Sequence, residues 1–243
     1  MKISKIVLAG LIAAPLIAMF MTNSPQAQST GQTTASSGDT SNEQNSGASE
    51  GVAIFAGGCF WCVESDFDNV PGVLSTISGY IGGNTTNPTY KTHSKDRHRE
   101  AVEITFNPSI TSYEKLLDVF WRSVNPTDEG GQFCDRGHSY TTAIYALDQQ
   151  QLDLASASKA ALVDGSVLAK PIVTEILKAG EFYPAEGYHQ DYYQKNPVRY
   201  KLYRKACGRD KTVELIWGEQ AHAGITEHKR IFYQLKACSR IRV

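Results

Sequence analysis

No sign of charge dominates this chain of 243 residues: 24 Lys and Arg stand against 25 Asp and Glu, for a formal net charge of −1. A protein built to grip nucleic acid needs a basic surface to displace counterions, so that class is excluded. Cysteine is scarce and odd in number, five in all. Structural disulfide frameworks are cysteine-dense and usually even, so at least one thiol here has another use. Long apolar runs are also few. The N-terminal one, Ile6 to Met21, is broken by Gly10 and Pro15 and is short for a membrane span, which needs roughly 20 apolar residues.

Lys2 and Lys5 precede that run, which gives it the charged and apolar parts of a secretory signal. Residues 1–27 are read as a signal peptide with cleavage near Ala27, or alternatively as an uncleaved N-terminal anchor. No cysteine follows the run, which excludes a lipoprotein anchor. The expectation is a periplasmic or secreted protein, with membrane attachment only through an uncleaved segment. Residues 28–51 are rich in Ser, Thr, Gly, Asn and Gln; too little apolar surface is available to offset ordering entropy, so a disordered low-complexity linker is expected. The folded domain is placed at 52–218, and 219–243 is an unassigned tail, read as solvated and carrying Cys238.

Within the folded part, "VAIFAGG" reads as a buried strand with a tight exit. In "CFWCVESDFDNV" the residues Phe60, Val63, Phe67 and Val70 have helical spacing. "VLSTISGYIGG" reads as a strand, and "EAVEITFNP" alternates like a half-buried one. "TSYEKLLDVFWRSV" is an amphipathic helix with Thr111 or Ser112 as its N-cap. "NPTDEGGQFCDRGHS" is a long polar loop, a type that usually carries function. "YTTAIYAL" and "IVTEIL" read as strands flanking the helical "DQQQLDLASASKAALVDG", and two shorter helical stretches surround Pro197. Strands and helices do not alternate strictly. The expected class is therefore α+β: a two-layer sandwich of helices on a mixed, mostly antiparallel sheet, with long irregular loops and a C-terminal coil.

Cys59 follows Gly57-Gly58 at a strand-to-helix junction. A sulfur there faces unpaired helix N–H groups and the positive end of the helix dipole, both of which favour thiolate. Phe60 and Trp61 are either core aromatics or the walls of a pocket for a small thioether-like group. Cys59-x-x-Cys62 also admits a thioredoxin-like dithiol oxidoreductase. A zinc module is disfavoured, because the other Cys and His lack paired ligand spacing.

"GCFWCVE" resembles the active-site segment of the A-type peptide methionine sulfoxide reductases. "SGYIGGNTTNPTY", "HREAVEITFNP", "NPTDEGGQFCDRGHSYTTAIY", "EFYPAEGYHQDYYQKNP" and "CGRD" resemble further segments of the same family, in its order. The resemblance implies that Cys59 is the nucleophile and that Phe60 and Trp61 hold the substrate methyl group. It implies that Glu100 is the acid on the sulfoxide oxygen, with Tyr90, Tyr140 and Asp135 completing the site. Cys207 is the leading resolving thiol, with Cys62 and Cys134 as alternatives. The chain departs from the family pattern at Arg97, where glycine is common, at Cys62, another frequent glycine, and in a shortened loop between Tyr90 and Glu100.

The implied chemistry is reduction of free and protein-bound methionine-S-sulfoxide through a Cys59 sulfenic acid. An intramolecular disulfide follows, which a thioredoxin or a periplasmic thioredoxin-like donor reduces by exchange. No metal or organic cofactor is called for. Glu100 has to stay protonated near neutral pH, which requires burial.

Overall fold

The computed structural model describes residues 49–226. The proposed signal, nearly all of the proposed linker, Cys238 and the end of the tail lie outside the described residues. The apolar "VAIFA" run forms β1 (Gly51–Ala56), whose last four residues are buried. Gly58 turns the chain out of it with φ +89°, and a Cβ there would lie 2.6 Å from the Gln132 Cβ. Only glycine fits this close approach. The turn makes Cys59 the N-cap of α1 (Phe60–Phe67), whose Phe60, Val63 and Phe67 face the core.

The chain continues through β2 (Val73–Ile81), β3 (Arg99–Phe106) and α2 (Tyr113–Trp121). Ser112, one of the two expected caps, starts α2 by accepting the Lys115 N–H. The polar loop folds into a small hairpin, β4 (Gly131–Gln132) with β5 (Asp135–Arg136), and a 3-10 turn, His138–Tyr140. β6 (Ala143–Ala146), α3 (Gln149–Asp164) and β7 (Glu175–Lys178) form the one parallel crossover among the described residues. β8 (Phe182–Pro184), α4 (Tyr192–Lys195), α5 (Pro197–Cys207) and α6 (Arg209–Trp217) complete the domain.

The six-stranded sheet has the order β7-β6-β1-β3-β2-β8, and every pair except β6–β7 is antiparallel. The α+β sandwich on a mostly antiparallel sheet is therefore what the chain forms. One face of the sheet packs Phe55, Val102, Ile104 and Ile144 against α1, α2 and α3. The other carries a smaller cluster of Ile54, Ala56, Ile81, Ala101, Ala143 and Tyr145. That second cover explains why Arg99 to Val102 are all buried, although the sequence reads β3 as half-buried. This apolar packing uses no thioether, because the three methionines, Met1, Met19 and Met21, all precede the described residues.

Besides the small hairpin, two further elements escape the sequence reading. β8 is only three residues of edge strand, and α6 has no strong apolar face. The packed part also extends past the expected boundary at 218. Ile225 and His222 are buried, the His222 N–H donates to the Arg122 carbonyl, and the Thr226 N–H donates to the Asn69 carbonyl. Residues to 226 therefore belong to the packed domain.

Helices α5 and α6 are tied to α1 by charge. Asp66, fully buried on α1, lies 2.8 Å from Arg204 Nη1 and 3.6 Å from Arg209 Nε. Arg209 also donates to the carbonyls of Gly57 and Ser123. Removing one member of such a group leaves buried charge uncompensated. Asp66→Ala is expected to destabilise the domain by roughly 3–5 kcal/mol, measured by urea denaturation.

Candidate active site

Cys59 stands where β1 passes into α1, and Glu100 comes from the neighbouring strand β3 to meet it. The link is direct: the Phe60 N–H, in the first turn of α1, donates to Glu100 Oε2 at 2.9 Å. Glu100 is 2% exposed. Burial pushes its carboxyl up to about 8, although the Phe60 N–H and the Tyr140 hydroxyl pull the other way. It is therefore largely protonated at neutral pH, the condition an acid on the sulfoxide oxygen requires.

A cavity of about 70 Å³ is lined by Cys59, Phe60, Trp61, Tyr90, Glu100, Asp135, Tyr140 and Tyr203. Every residue expected to react with or bind substrate is in that list. β5 supplies Asp135, the 3-10 turn supplies Tyr140, and the loop before β3 supplies Tyr90. Tyr90 is held by its own N–H, which donates to Glu186 Oε1 at 3.0 Å. In the shortened loop Arg97 takes φ +62°, so the position where the family commonly has glycine keeps the left-handed backbone that glycine favours. Burial raises the hydroxyls of Tyr90 and Tyr140 above their ordinary value, so both stay neutral donors.

Trp61 is fixed on three sides. Its indole N–H donates to His189 Nδ1 at 3.1 Å, its ring stacks on Tyr192 at 3.8 Å, and the edge of Tyr203 meets it at 5.8 Å. Phe60 packs against Tyr80 and His189. Flat aromatic walls beside a sulfur suit a methyl thioether, which makes favourable contact with ring faces and edges.

Two neighbours were not anticipated from the sequence. Tyr203 on α5 donates to Asp135 Oδ2 at 2.5 Å and lines the cavity together with Cys59. It lies one helical turn before Cys207, which was the only available signal. His93 places Nε2 3.6 Å from Glu100 Oε1, and nothing in its loop sequence pointed to it.

The sulfurs correct one expectation. Cys59 does cap a helix, but its side chain makes no capping hydrogen bond, and the Phe60 N–H is taken by Glu100. Burial pushes the Cys59 thiol well up, and its contact with Cys62 and the charge on Glu100 add to this. Cys62 goes the other way: the Cys59 thiol hydrogen-bonds it, and Arg209 and Arg204 hold it down against burial. The first negative charge of the pair therefore sits on the Cys62 side.

Cys207, the leading resolving candidate, is not a free thiol in this structure. It is bonded to Cys134 in a disulfide with a Cα–Cα distance of 4.9 Å. Cys134 is exposed, whereas Cys59 and Cys62 are 6% and 2% exposed.

The fold and this site match a known group of oxidoreductases. The peptide methionine sulfoxide reductase family model matches residues 51–221, and the chain belongs to that family. The chain is 55% identical over 174 residues to peptide methionine sulfoxide reductase MsrA 2 of Rhizobium meliloti (strain 1021), covering 72% of this chain and 87% of the relative. It is 52% identical over 169 residues to the MsrA of Bacillus subtilis (strain 168), covering 69% and 96%. Among solved structures, methionine sulfoxide reductase A of Corynebacterium diphtheriae superposes with a TM-score of 0.55 at 31% identity, over 64% of this chain and 78% of the other. Mxr1 of Saccharomyces cerevisiae in reduced form gives 0.54 at 27%, over 61% and 86%.

Proposed function

We propose that the domain reduces the S epimer of free and protein-bound methionine sulfoxide at Cys59. The observation that carries this is the pairing of a buried, protonated Glu100 with the first turn of the helix that Cys59 caps. The substrate methyl sits between Phe60 and Trp61, and the sulfoxide oxygen faces Glu100, Tyr90 and Tyr140. Hydrogen bonds or a proton on that oxygen make the sulfoxide sulfur electrophilic. The donors are fixed in place before charge develops, which is where they stabilise it most.

The Cys59 sulfur, having passed its proton to Cys62 or solvent, attacks the sulfoxide sulfur as Glu100 protonates the oxygen. Transfer of the hydroxyl to Cys59 and breakage of the sulfur–sulfur bond release methionine and leave a Cys59 sulfenic acid. Among the described residues, Cys62 is the other free thiol. Its attack on the sulfenic acid expels water and forms a Cys59–Cys62 disulfide.

That disulfide is buried from an external reductant, whereas Cys134 is exposed. A thioredoxin-type dithiol therefore reduces Cys134–Cys207 first, releasing the Cys207 sulfur, to which the Cys134 N–H donates at 3.1 Å. The resulting thiols pass electrons on to the buried pair by exchange. Asp135 and Tyr203, between the two pairs, line the same cavity. The charged and apolar start of the sequence supports export, so the donor is a thioredoxin-like protein of that compartment.

The test is a single turnover by fully reduced protein with one epimer of methionine sulfoxide and no added reductant. Cys59→Ser is expected to form no methionine, and the R epimer is expected to be left untouched by wild type. Methionine formation by Cys59→Ser would end this reading.

A further inference from the structure

Glu100 is 2% exposed, and the proposed chemistry removes its proton in every turnover. A buried acid needs a route by which that proton returns. We propose that His93 is that route, carrying a proton from the exposed Ser94 to Glu100 and fixing which carboxyl oxygen receives it. The inference rests on Glu100 being the acid of the reaction.

The ring is held from several directions. The His93 N–H donates to the Thr89 carbonyl at 2.8 Å. The imidazole stacks on Tyr80 of β2 at 4.9 Å and on Tyr90 at 5.5 Å. Its Nδ1 lies 2.9 Å from the Tyr90 carbonyl oxygen. A carbonyl only accepts, so Nδ1 carries the hydrogen and Nε2 keeps its lone pair. That lone pair has two partners, Ser94 Oγ at 3.1 Å and Glu100 Oε1 at 3.6 Å. Ser94 is exposed, whereas His93 and Glu100 are buried. One nitrogen therefore stands between a solvent-facing hydroxyl and the buried acid.

The carboxyl is ordered to match. Oε2 accepts the Phe60 N–H, so the acidic hydrogen belongs on Oε1, the oxygen that faces His93. When Oε1 gives its proton to the sulfoxide, a carboxylate forms beside Nε2. Solvent protonates Nε2 through Ser94, and Nε2 passes the proton to Oε1. The proton lost by Cys59 and the one regained by Glu100 cancel, so conversion of sulfoxide and thiol to methionine and sulfenic acid has no net proton demand. Burial holds His93 below its ordinary value, and His98 adds to this while the Tyr90 carbonyl and Glu186 oppose it. The ring is thus neutral at rest and takes up a proton only in transit.

The experiment follows sustained methionine formation with excess dithiothreitol, in which Glu100 must regain its proton in every cycle, by wild type, His93→Ala, His93→Gln and Glu100→Gln, across pH and with added imidazole. Both His93 variants are expected to be slower by roughly 10²-fold, the low end for a positioned acid–base group. Imidazole is expected to restore His93→Ala, which leaves space for it, and to do nothing for Glu100→Gln. The slowed variants should also lose rate with rising pH earlier than wild type. The proposal is overturned if the His93 variants keep the wild-type rate, or if they are slow with an unchanged pH profile and no response to imidazole, the result of a purely structural role. Should neither variant fold, the same reaction in unaltered protein decides: a rate unchanged in D₂O overturns the relay. A fully active Glu100→Gln would instead remove the acid assignment itself, a failure separable from that of His93 alone.

Discussion

Glu100→Gln is expected to lower the rate of methionine formation by roughly 10²–10⁴-fold, the range for loss of a positioned general acid. Glutamine keeps the shape and can still accept the Phe60 N–H through its carbonyl oxygen, so the change isolates the proton. The pH profile gives a second reading. Burial holds the wild-type carboxyl near 8, so the acid form is present below that pH and disappears above it. The rate of wild type should therefore fall as pH rises through about 8, and this limb should be missing from the residual activity of the glutamine variant.

Glu100→Gln should move stability in the opposite sense to activity. In the unfolded chain Glu100 titrates near its ordinary value of 4.5, and in the folded protein near 8. Between those values the folded state holds more protons than the unfolded one, so this residue lowers stability as pH rises through the window. Glu100→Gln removes that loss. Chemical denaturation at pH values above the window is expected to find the inactive variant more stable than wild type. A variant both inactive and less stable there would show that the carboxyl is structural in this site and not an acid held at a cost.

The second large effect concerns Cys62. Cys62→Ser is expected to yield a single equivalent of methionine and then stop, with a Cys59 sulfenic acid trapped by dimedone. Its multiple-turnover rate with a thioredoxin-type donor should be close to zero. Cys207→Ser differs: it should still form the Cys59–Cys62 disulfide, detected by mass spectrometry after one turnover, but recycle slowly. The argument is proximity. Cys59 and Cys62 share one buried cluster at the start of α1, and Arg204 and Arg209 favour the Cys62 thiolate, whereas Cys207 is already bonded to Cys134. Failure of Cys62→Ser to form even one equivalent would favour a dithiol oxidoreductase in which both sulfurs act on a disulfide. Sustained turnover by the same variant would return the resolving role to Cys207.

Much of the site was legible because its residues fall in a few ordered segments. "GCFWC" puts Cys59, Phe60 and Trp61 within one turn of a helix, and Glu100 opens a strand whose pattern is readable on its own. Tyr203 and His93 were not legible for a physical reason. Tyr203 reaches the cavity and His93 reaches Glu100, each from an element with a weak local signal, α5 in a polar sequence and an irregular loop, and only tertiary packing brings them in. The same holds for α6 and β8, whose apolar residues are too few to show a period. The electrostatics of Cys59 was misjudged differently: helix position suggests a thiolate, but the sequence does not show that Glu100 takes the first helix N–H or that Cys62 receives the charge.

The absence of methionine from residues 49–226 bears on how the protein endures its surroundings. Oxidants that create its substrate convert flexible thioethers into polar sulfoxides and loosen the cores that contain them. This core of aromatic and branched aliphatic side chains offers them nothing of that kind. Its vulnerable atoms are instead the sulfurs of Cys59 and Cys62, and oxidation of Cys59 to the sulfenic acid, or of the pair to a disulfide, is a stage of the proposed catalytic cycle. A rising dose of oxidant should thus leave the folded domain neither softened nor converted into its own substrate while its neighbours accumulate damage.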